Sequence, residues 1–596
     1  MTNEVDTLLD TAFNHYNAGD FETAEEFARR VLSIKPSHGD GLYLLGLIAF
    51  QSGALEPASE LLYQAVKLYP NTDNYVLALA SVLQRLGRLD EALSFYEKHK
   101  DNPVVLAQMG FIYASKGQTE WAMSAFNKAL AQDKMTAEAI LGLAILAQQQ
   151  GDLKKAETLL SDATAHLNSP ELFYRLAVVY RLQGENDKAL IQIDKALNLM
   201  NNHVYLNEKG LVLENLGQDD EALMVYRQAV DMNAYYPDPL AGQGNIYMRC
   251  HQYDLAEDAY KKALALDNKF FMAHHNLASL LYKQDRKNEA LDHYQEAVII
   301  DPKNMTAVYN LAVIQEDIGE FSEAAGLYFN ALVGGLKNDT LEFRIASVLE
   351  QLFKSSKEGK KQALDFTKGW VKHFPDSVVA WHTLSALTGK KSSDAKGLME
   401  RYAQKLYDVF AIEYDEKMKK LKAISIDEAE QILKNKKFKK VLDLGCGTGG
   451  FGKKLKQNFN SLIGVDLSQK MLDIAQTTNS YDKLICASVT DYLENTKSSF
   501  DLIVMLELTG YLDDLSPVLN GIKSHLNQKG MFIFSVEYPS NDMASGLSSN
   551  GRYVYSKSDV ITMLEKANLT LIDIKEINLR REDDGYAKGA LVTGTL

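Results

Sequence analysis

Gly217-Gln-Asp-Asp-Glu-Ala222-Leu-Met-Val-Tyr-Arg-Gln-Ala229 is a glycine, four residues, an alanine, six residues and a second alanine. The same phase returns about every 34 residues on either side. Towards the N-terminus it appears at Gly184, Ala189 and Ala196, at Gly151, Ala156 and Ala163, and at Gly117, Ala122 and Ala129. It continues at Gly87 and Ala92, at Gly53, Ala58 and Ala65, and at Gly19 and Ala24. Towards the C-terminus His251 and Asp285 take the glycine position ahead of Ala256 and Ala263 and of Ala290 and Ala297, and Gly319 restores it ahead of Ala324 and Ala331. Such a period predicts a stacked array in which each unit contacts its neighbours. Each unit reads as two short amphipathic helices. The glycine turns between them at little steric cost, and the alanines let the paired helices approach closely. Pro36, Pro70 and Pro302 close second helices, while Gly110 with Tyr113, and Gly244 with Tyr247, stand where small and aromatic residues interlock.

From about Asp6 to Gly334 this pattern resembles the tetratricopeptide repeat, about ten units of it. The resemblance implies an all-α superhelical solenoid over residues 1–334, whose concave groove holds a protein or peptide partner. Asn276 and Asn310 occupy equivalent places in consecutive units and could begin an amide ladder along a bound peptide, although Asn is also common on this helix face. His274, His275 and His293 read as surface or packing residues. Over 335–396 the register loosens into degenerate, capping helices: Phe343 to Phe353, Lys361 to Phe374, and a further first helix from Trp381. The polar run Lys390-Lys-Ser-Ser-Asp-Ala-Lys is the expected hinge to a last domain at 397–596.

A chain of 596 residues is too long for one core. Its three cysteines, Cys250, Cys446 and Cys486, have neither disulfide-framework nor zinc-ligand spacing, so no metal is expected and a reducing compartment fits. An acidic start and the lack of a long apolar run predict a cytoplasmic protein with no membrane association. The net charge of −15 is uneven. Residues 401–596 carry 26 Lys+Arg and 26 Asp+Glu, which leaves 38 against 53 in the repeats. That surface disfavours nucleic acid and suits a neutral or basic protein, though it also serves plain solubility.

In the last third, helices alternate with apolar strands: Val441-Leu-Asp-Leu, Ser461 to Asp466, Lys483 to Ala487, Phe500 to Met505 and Gly530 to Glu537, with a final pair from Leu569 to Ile577 and Gly589 to Val592. This predicts a Rossmann-like, seven-stranded α/β domain. Between the first strand and its helix lies Gly445-Cys-Gly-Thr-Gly449-Gly, where bare backbone can approach a ligand. Gly445, Gly447 and Gly450 also satisfy the dinucleotide pattern, so an NAD-dependent oxidoreductase is one candidate. Asp443 two residues before the loop, the full Asp-x-Gly-x-Gly-x-Gly string, and Asp466 ending the second strand ahead of Leu-Ser-Gln-Lys-Met-Leu favour another.

These residues resemble the class I methyltransferases that use S-adenosyl-L-methionine. Together with the repeats, the lead-in Tyr407-Asp-Val-Phe-Ala-Ile-Glu-Tyr414-Asp, and the tail segments Gly551-Arg-Tyr-Val-Tyr-Ser and Leu579-Arg-Arg-Glu, they are similar to bacterial repeat-containing predicted methyltransferases. The resemblance implies that Gly445, Gly447 and Gly449 pack along the amino-acid part of the cofactor and that Asp466 takes both ribose hydroxyls. Asp443, Cys446, Thr448 and Leu467 flank these positions and join the cofactor-binding set, Tyr414 covers the cofactor, Glu507 borders it, and Met471 is included although packing explains it better. Ser488 stands where the family commonly has an acid for the adenine. Methyl transfer needs alignment and at most a base. Glu507, Tyr511 and Glu537, beyond the fourth and fifth strands, are the catalytic candidates. Arg552, Tyr553 and Tyr555 lie in a Gly/Ser-rich insertion that could close as a lid, with Arg552 pairing an acidic substrate. The expectation is a methyltransferase whose repeats recruit its protein partner or substrate. The alternative is an adaptor or assembly factor whose last domain senses the cofactor without turnover.

Overall fold

The computed structural model describes residues 2–390, 397–540, 544–582 and 585–596. Of the expected hinge, residues 391–396 lie outside the described residues. Packing divides the chain into two compact units, Met1–Leu280 and Leu281–Leu596.

The first unit is a run of antiparallel helix pairs, from Thr2–Asn17 with Phe21–Ile34 to Asp238–Arg249 with Tyr253–Leu266, and it ends inside the helix Phe271–Lys283. Between the helices of each pair, one residue adopts the left-handed conformation. Gly151 does so at φ 78°, and His251, which replaces the glycine, does so at φ 59°. The repeat alanines Ala122, Ala129, Ala156, Ala189, Ala222 and Ala256 are fully buried. A second set of glycines serves packing. A methyl group on Gly110 would come within 2.5 Å of Phe126, and one on Gly142 within 2.2 Å of the same ring. Gly210 and Gly242 clamp Tyr226 in the same way, at 2.3 and 2.5 Å. This corrects the expected partners: Gly110 meets Phe126, not Tyr113, and Gly244 meets Tyr260, not Tyr247. Residues three apart share one helix face, so the ring that fills a glycine notch must come from another helix. The Asn276 amide donates to Asn245 Oδ1 at 2.7 Å, which also accepts from the Tyr260 hydroxyl at 2.8 Å. One of that amide's two donors is therefore used within the array.

The second unit begins with the pairing helices Lys287–Ile300, Met305–Asp317 and Phe321–Val333. Asp285 holds the turn at φ 61°. The helices Leu341–Ser355, Lys357–His373 and Val378–Thr388 follow, around a core that includes Ile345, Leu349, Trp370 and Val379. Leu398–Phe410 is a two-faced helix. Tyr402, Leu406, Val409 and Phe410 pack on that repeat core, while Tyr407 packs edge-on against Tyr511 with centroids 5.4 Å apart.

The strands are β1 (Phe438–Leu444), β2 (Phe459–Asp466), β3 (Lys483–Cys486), β4 (Phe500–Met505), β5 (Leu526–Glu537), the two-residue β6 (Gly546–Leu547) and β7 (Tyr553–Val554), β8 (Thr570–Glu582) and β9 (Gly585–Thr595). Seven form one sheet in the order β3-β2-β1-β4-β5-β9-β8, and β6 pairs with β7. The pairs from β3 to β5 are parallel, whereas β9 is antiparallel to both β5 and β8. A dinucleotide fold of order 3-2-1-4-5-6 lacks this reversed pair. Val441, Leu442 and Leu444 on β1 and Leu502, Ile503 and Val504 on β4 are buried without alternation, as strands covered on both faces require. The strand order reverses between β1 and β4, so the crevice for a ligand opens at their carboxyl ends. Among the described residues, no helix is long and apolar enough to cross a membrane.

Candidate functional site

At the end of β1 the chain turns through three glycines in the left-handed region, Gly445 at φ 72°, Gly447 at φ 53° and Gly449 at φ 86°, and enters the helix Gly450–Leu455. A methyl group on Gly447 would meet only Tyr414 Cε1, at 4.0 Å, so the loop presents backbone to an open face. Asp466, at the end of β2, holds this loop. Its Oδ2 accepts from Gly447 N at 2.9 Å and its Oδ1 from Ser468 N at 2.9 Å. Burial raises the Asp466 pKa, against those backbone hydrogen bonds, and the nearby Asp408 charge adds to the rise. A small pocket of about 30 Å³ lies here, lined by Tyr407, Tyr414, Gly445, Gly447, Asp466, Met471, Leu506, Glu507 and Leu508.

The lead-in segment is stitched over the loop. Thr448 Oγ1 donates to Asp415 Oδ1 at 2.5 Å, and Ser468 Oγ donates to Asp408 Oδ1 at 2.6 Å. Tyr407 and Tyr414 pack edge to face at 5.9 Å. Burial, then the Glu507 carboxylate, hold the Tyr414 phenol well above its usual pKa.

Not every candidate faces the pocket. Asp443 lies behind the loop, 2 % exposed, and accepts from the Tyr481 hydroxyl at 2.6 Å. Burial pushes its carboxyl up to about 7, against that hydrogen bond, and Asp466 adds to the rise. Gly449 packs on Tyr481 and Ala475, and the buried Cys446 thiol sits where a side chain on Gly464 would fall. Leu467 offers its carbonyl to the Cys486 thiol. Ser488 caps the helix Val489–Asn495, accepting from Asp491 N at 3.2 Å. These residues shape the loop and its supports, because β1 and β2 are buried on both faces and only their terminal residues reach the crevice.

The expected catalytic wall is a closed ionic network. Glu537 Oε2 accepts from Arg552 Nε at 2.9 Å and from Arg580 Nη2 at 2.8 Å. Arg580 Nη1 reaches Glu507 Oε2 at 3.3 Å, Arg552 approaches it at 3.7 Å, and Ser425 Oγ donates to Glu507 Oε1. Burial raises the Glu537 pKa, but the two guanidinium groups outweigh it and hold the carboxyl below its ordinary value. Glu537 thus serves as the shared counter-ion of Arg552 and Arg580. Glu507, at φ 55°, lines the pocket, and its backbone N donates to Ser535 Oγ at 2.7 Å. Tyr511 carries Arg552 over its ring at 4.9 Å.

The lid reading is corrected too. Tyr553 and Tyr555 are core residues, 6 % and 4 % exposed. Tyr555 N donates to Glu537 O at 2.9 Å, and its hydroxyl donates to Leu512 O. Pairing of β6 with β7 and this tie to β5 fix the segment against the sheet, and Arg552 is spent on Glu537. Residues 541–543 of the insertion lie outside the described residues. Tyr407 and Arg580 stood in the quoted lead-in and tail segments without a role assigned to them, and Leu506, Leu508 and Ser425 completed the site without having been singled out.

Residues 442–534 match the family described as a methyltransferase domain. Families described as tetratricopeptide or TPR repeats match 141–199, 204–236, 244–285, 271–304 and 307–340. Among curated proteins, the chain is 24% identical over 286 residues to a TPR repeat-containing protein of Methanocaldococcus jannaschii, covering 44% of this chain and 50% of that one. It is 45% identical over 49 residues to the malonyl-[acyl-carrier protein] O-methyltransferase of Buchnera aphidicola, covering 8% and 20%. The chain spans about half the length of the first curated relatives it matches. A solved S-adenosylmethionine-dependent methyltransferase from Clostridium acetobutylicum is 21% identical and matches at a TM-score of 0.25, covering 32% of this chain and 99% of that one. A solved tetratricopeptide repeat protein from Parabacteroides merdae is 18% identical, at a TM-score of 0.32, covering 47% and 99%. The fold and the family matches define an array of tetratricopeptide repeats joined to a Rossmann-like methyltransferase domain. This chain is a TPR repeat protein that carries such a domain in its last third.

Proposed function

We propose that the protein is an S-adenosyl-L-methionine-dependent methyltransferase whose repeats recruit a protein partner or substrate. The observation that carries this reading is the cradle at the ends of β1 and β2, where the bare face of Gly447 and the buried Asp466 carboxylate meet under Tyr414. The donor set fits the cofactor: a carboxylate for vicinal hydroxyls, and backbone that no Cβ shields. The pocket under the lead-in holds about 30 Å³, and admission of the cofactor is expected to shift Tyr407 and Tyr414 off the loop. When bound, the cofactor supplies an electrophilic methyl group.

The chain's part is alignment and exclusion of water. Tyr407 and Tyr414 cap the site, while Glu507 and Glu537, paired with Arg552 and Arg580, form a wall that orients an acceptor. The same paired carboxylates suit an adaptor that senses the cofactor, and turnover of a labelled methyl group separates the two readings.

Titration calorimetry with S-adenosyl-L-methionine, with NADH as control, is the test. Asp466→Asn keeps the size of the side chain and removes its charge, and it is expected to weaken binding by about tenfold or more. Equal binding by both proteins, or tighter binding of NADH, would sink the reading.

A further inference from the structure

A cavity of about 560 Å³, larger than the cofactor pocket, lies within the second unit between the last repeat helices, the helix Leu398–Phe410 and the segment 549–551. One wall is aromatic: Phe343 packs on Tyr402 at 5.9 Å and on Phe410 at 5.6 Å. The polar lining holds three carboxylates, Glu316, Glu350 and Glu413, and two cations, Arg344 and Lys417. Both cations are committed. Arg344 Nη1 donates to Glu316 Oε2 at 2.9 Å and its guanidinium lies over the Tyr309 ring at 5.8 Å. Lys417 places its ammonium over the Phe410 ring at 5.1 Å. Glu413 makes no ion pair among the described residues, and Glu350 has only Lys354, a neighbour on its own helix. The chain thus already shows an ammonium on one of these rings, beside a Glu413 carboxylate that has no ion pair among the described residues.

We propose that this cavity receives a lysine or arginine side chain from a basic segment of the protein partner. Aromatic faces with adjoining carboxylates attract such cations, and the repeats carry 53 acidic against 38 basic residues, which favours a basic partner. The inference rests on the reading of the repeats as recruiting elements. It places the anchored segment at the far end of a chain of packed side chains, Arg552, Tyr511 and Tyr407, from the cofactor site. Gly551 lines the cavity and its carbonyl accepts from His382 Nε2 at 2.9 Å; burial holds that imidazole down to about 4, neutral at physiological pH. The next residue, Arg552, lies on Tyr511, which packs on Tyr407 at the pocket.

The test measures fluorescence anisotropy of a labelled short oligolysine peptide with the full chain at physiological salt. Oligoglutamate and spermidine serve as comparison ligands. Glu350→Gln with Glu413→Gln is expected to weaken oligolysine binding about tenfold. Glu358→Gln with Glu416→Gln removes the same charge from exposed positions outside the cavity, and it should change binding by less than about twofold. Equal loss in both double variants, or no oligolysine binding, would overturn the proposal. Spermidine binding as tightly with the same dependence would overturn the peptide assignment. Calorimetry with the methyl donor, done separately, keeps the two readings apart. Donor binding without oligolysine binding rejects the cavity alone, and the reverse rejects the enzyme alone.

Discussion

Asp443 shows how far a motif residue can stand from the chemistry its motif suggests. It is buried behind the glycine loop with its carboxyl raised to about 7 from an ordinary 3.8, so the folded protein keeps a proton that the unfolded chain has released. That proton contributes stability that is fully present below pH 3.8 and lost as the pH rises to about 7, about 4 kcal/mol in all. Asp443→Asn keeps an acceptor for Tyr481 and should flatten this slope; urea unfolding of both proteins from pH 4 to pH 8 would show it, and parallel curves would refute it. Arg580 bridges Glu507, Glu537 and Glu582 at the edge of the site. Arg580→Met leaves the buried Glu537 and the half-buried Glu507 to share Arg552 and is expected to destabilise the fold by about 3 kcal/mol. The Tm should fall accordingly, with Glu537 retaining Arg552.

At the scale of the helix pair, glycine has two separate jobs that one substitution distinguishes. Gly151 turns between helices at φ 78°, and a methyl group there meets nothing within 4 Å, so Gly151→Ala feels backbone strain alone, about 1–2 kcal/mol. Gly142 has ordinary helical backbone, yet a methyl group there would lie 2.2 Å from Phe126 Cζ. Gly142→Ala must displace a fully buried ring and is expected to destabilise by more than the turn variant, about 2–3 kcal/mol. Urea midpoints of the two variants should rank in that order. The reverse ranking would mean that the ring can shift freely.

In the whole molecule, the helix Leu398–Phe410 decides what can be separated. Its repeat-facing residues Tyr402, Leu406, Val409 and Phe410 belong to the core around Phe343 and Trp370, while Tyr407 packs on Tyr511 and Asp408 accepts from Ser468 beside the glycine loop. A fragment 397–596 would expose the first group, whereas 335–596 keeps it covered. The shorter fragment is expected to aggregate or bind a hydrophobic dye and the longer one to run as a monomer on size exclusion. Equal behaviour of the two would show that this face contributes little. The same helix gives the repeats a physical route to the site, since one rigid element touches both.

The repeats and the sheet were legible in the sequence because both are local and periodic. A left-handed turn every 34 residues or so needs glycine, or the His251 and Asp285 that replace it, and doubly covered strands need uninterrupted apolar runs. Gly447 and Asp466 were legible for the same reason, since a strand, a tight turn and a helix fix their positions within a few residues. What faces the pocket was not. Asp443 and Asp466 each sit in a strand or at its end, yet one supports Tyr481 and the other the loop itself. The union of Arg552, Glu537, Arg580 and Glu507 joins segments up to 73 residues apart, and the notch partner of Gly110 comes from a different helix. Periodicity sets which face a residue shares with its chain neighbours; which distant side chain meets it is decided only when sheets and helices pack.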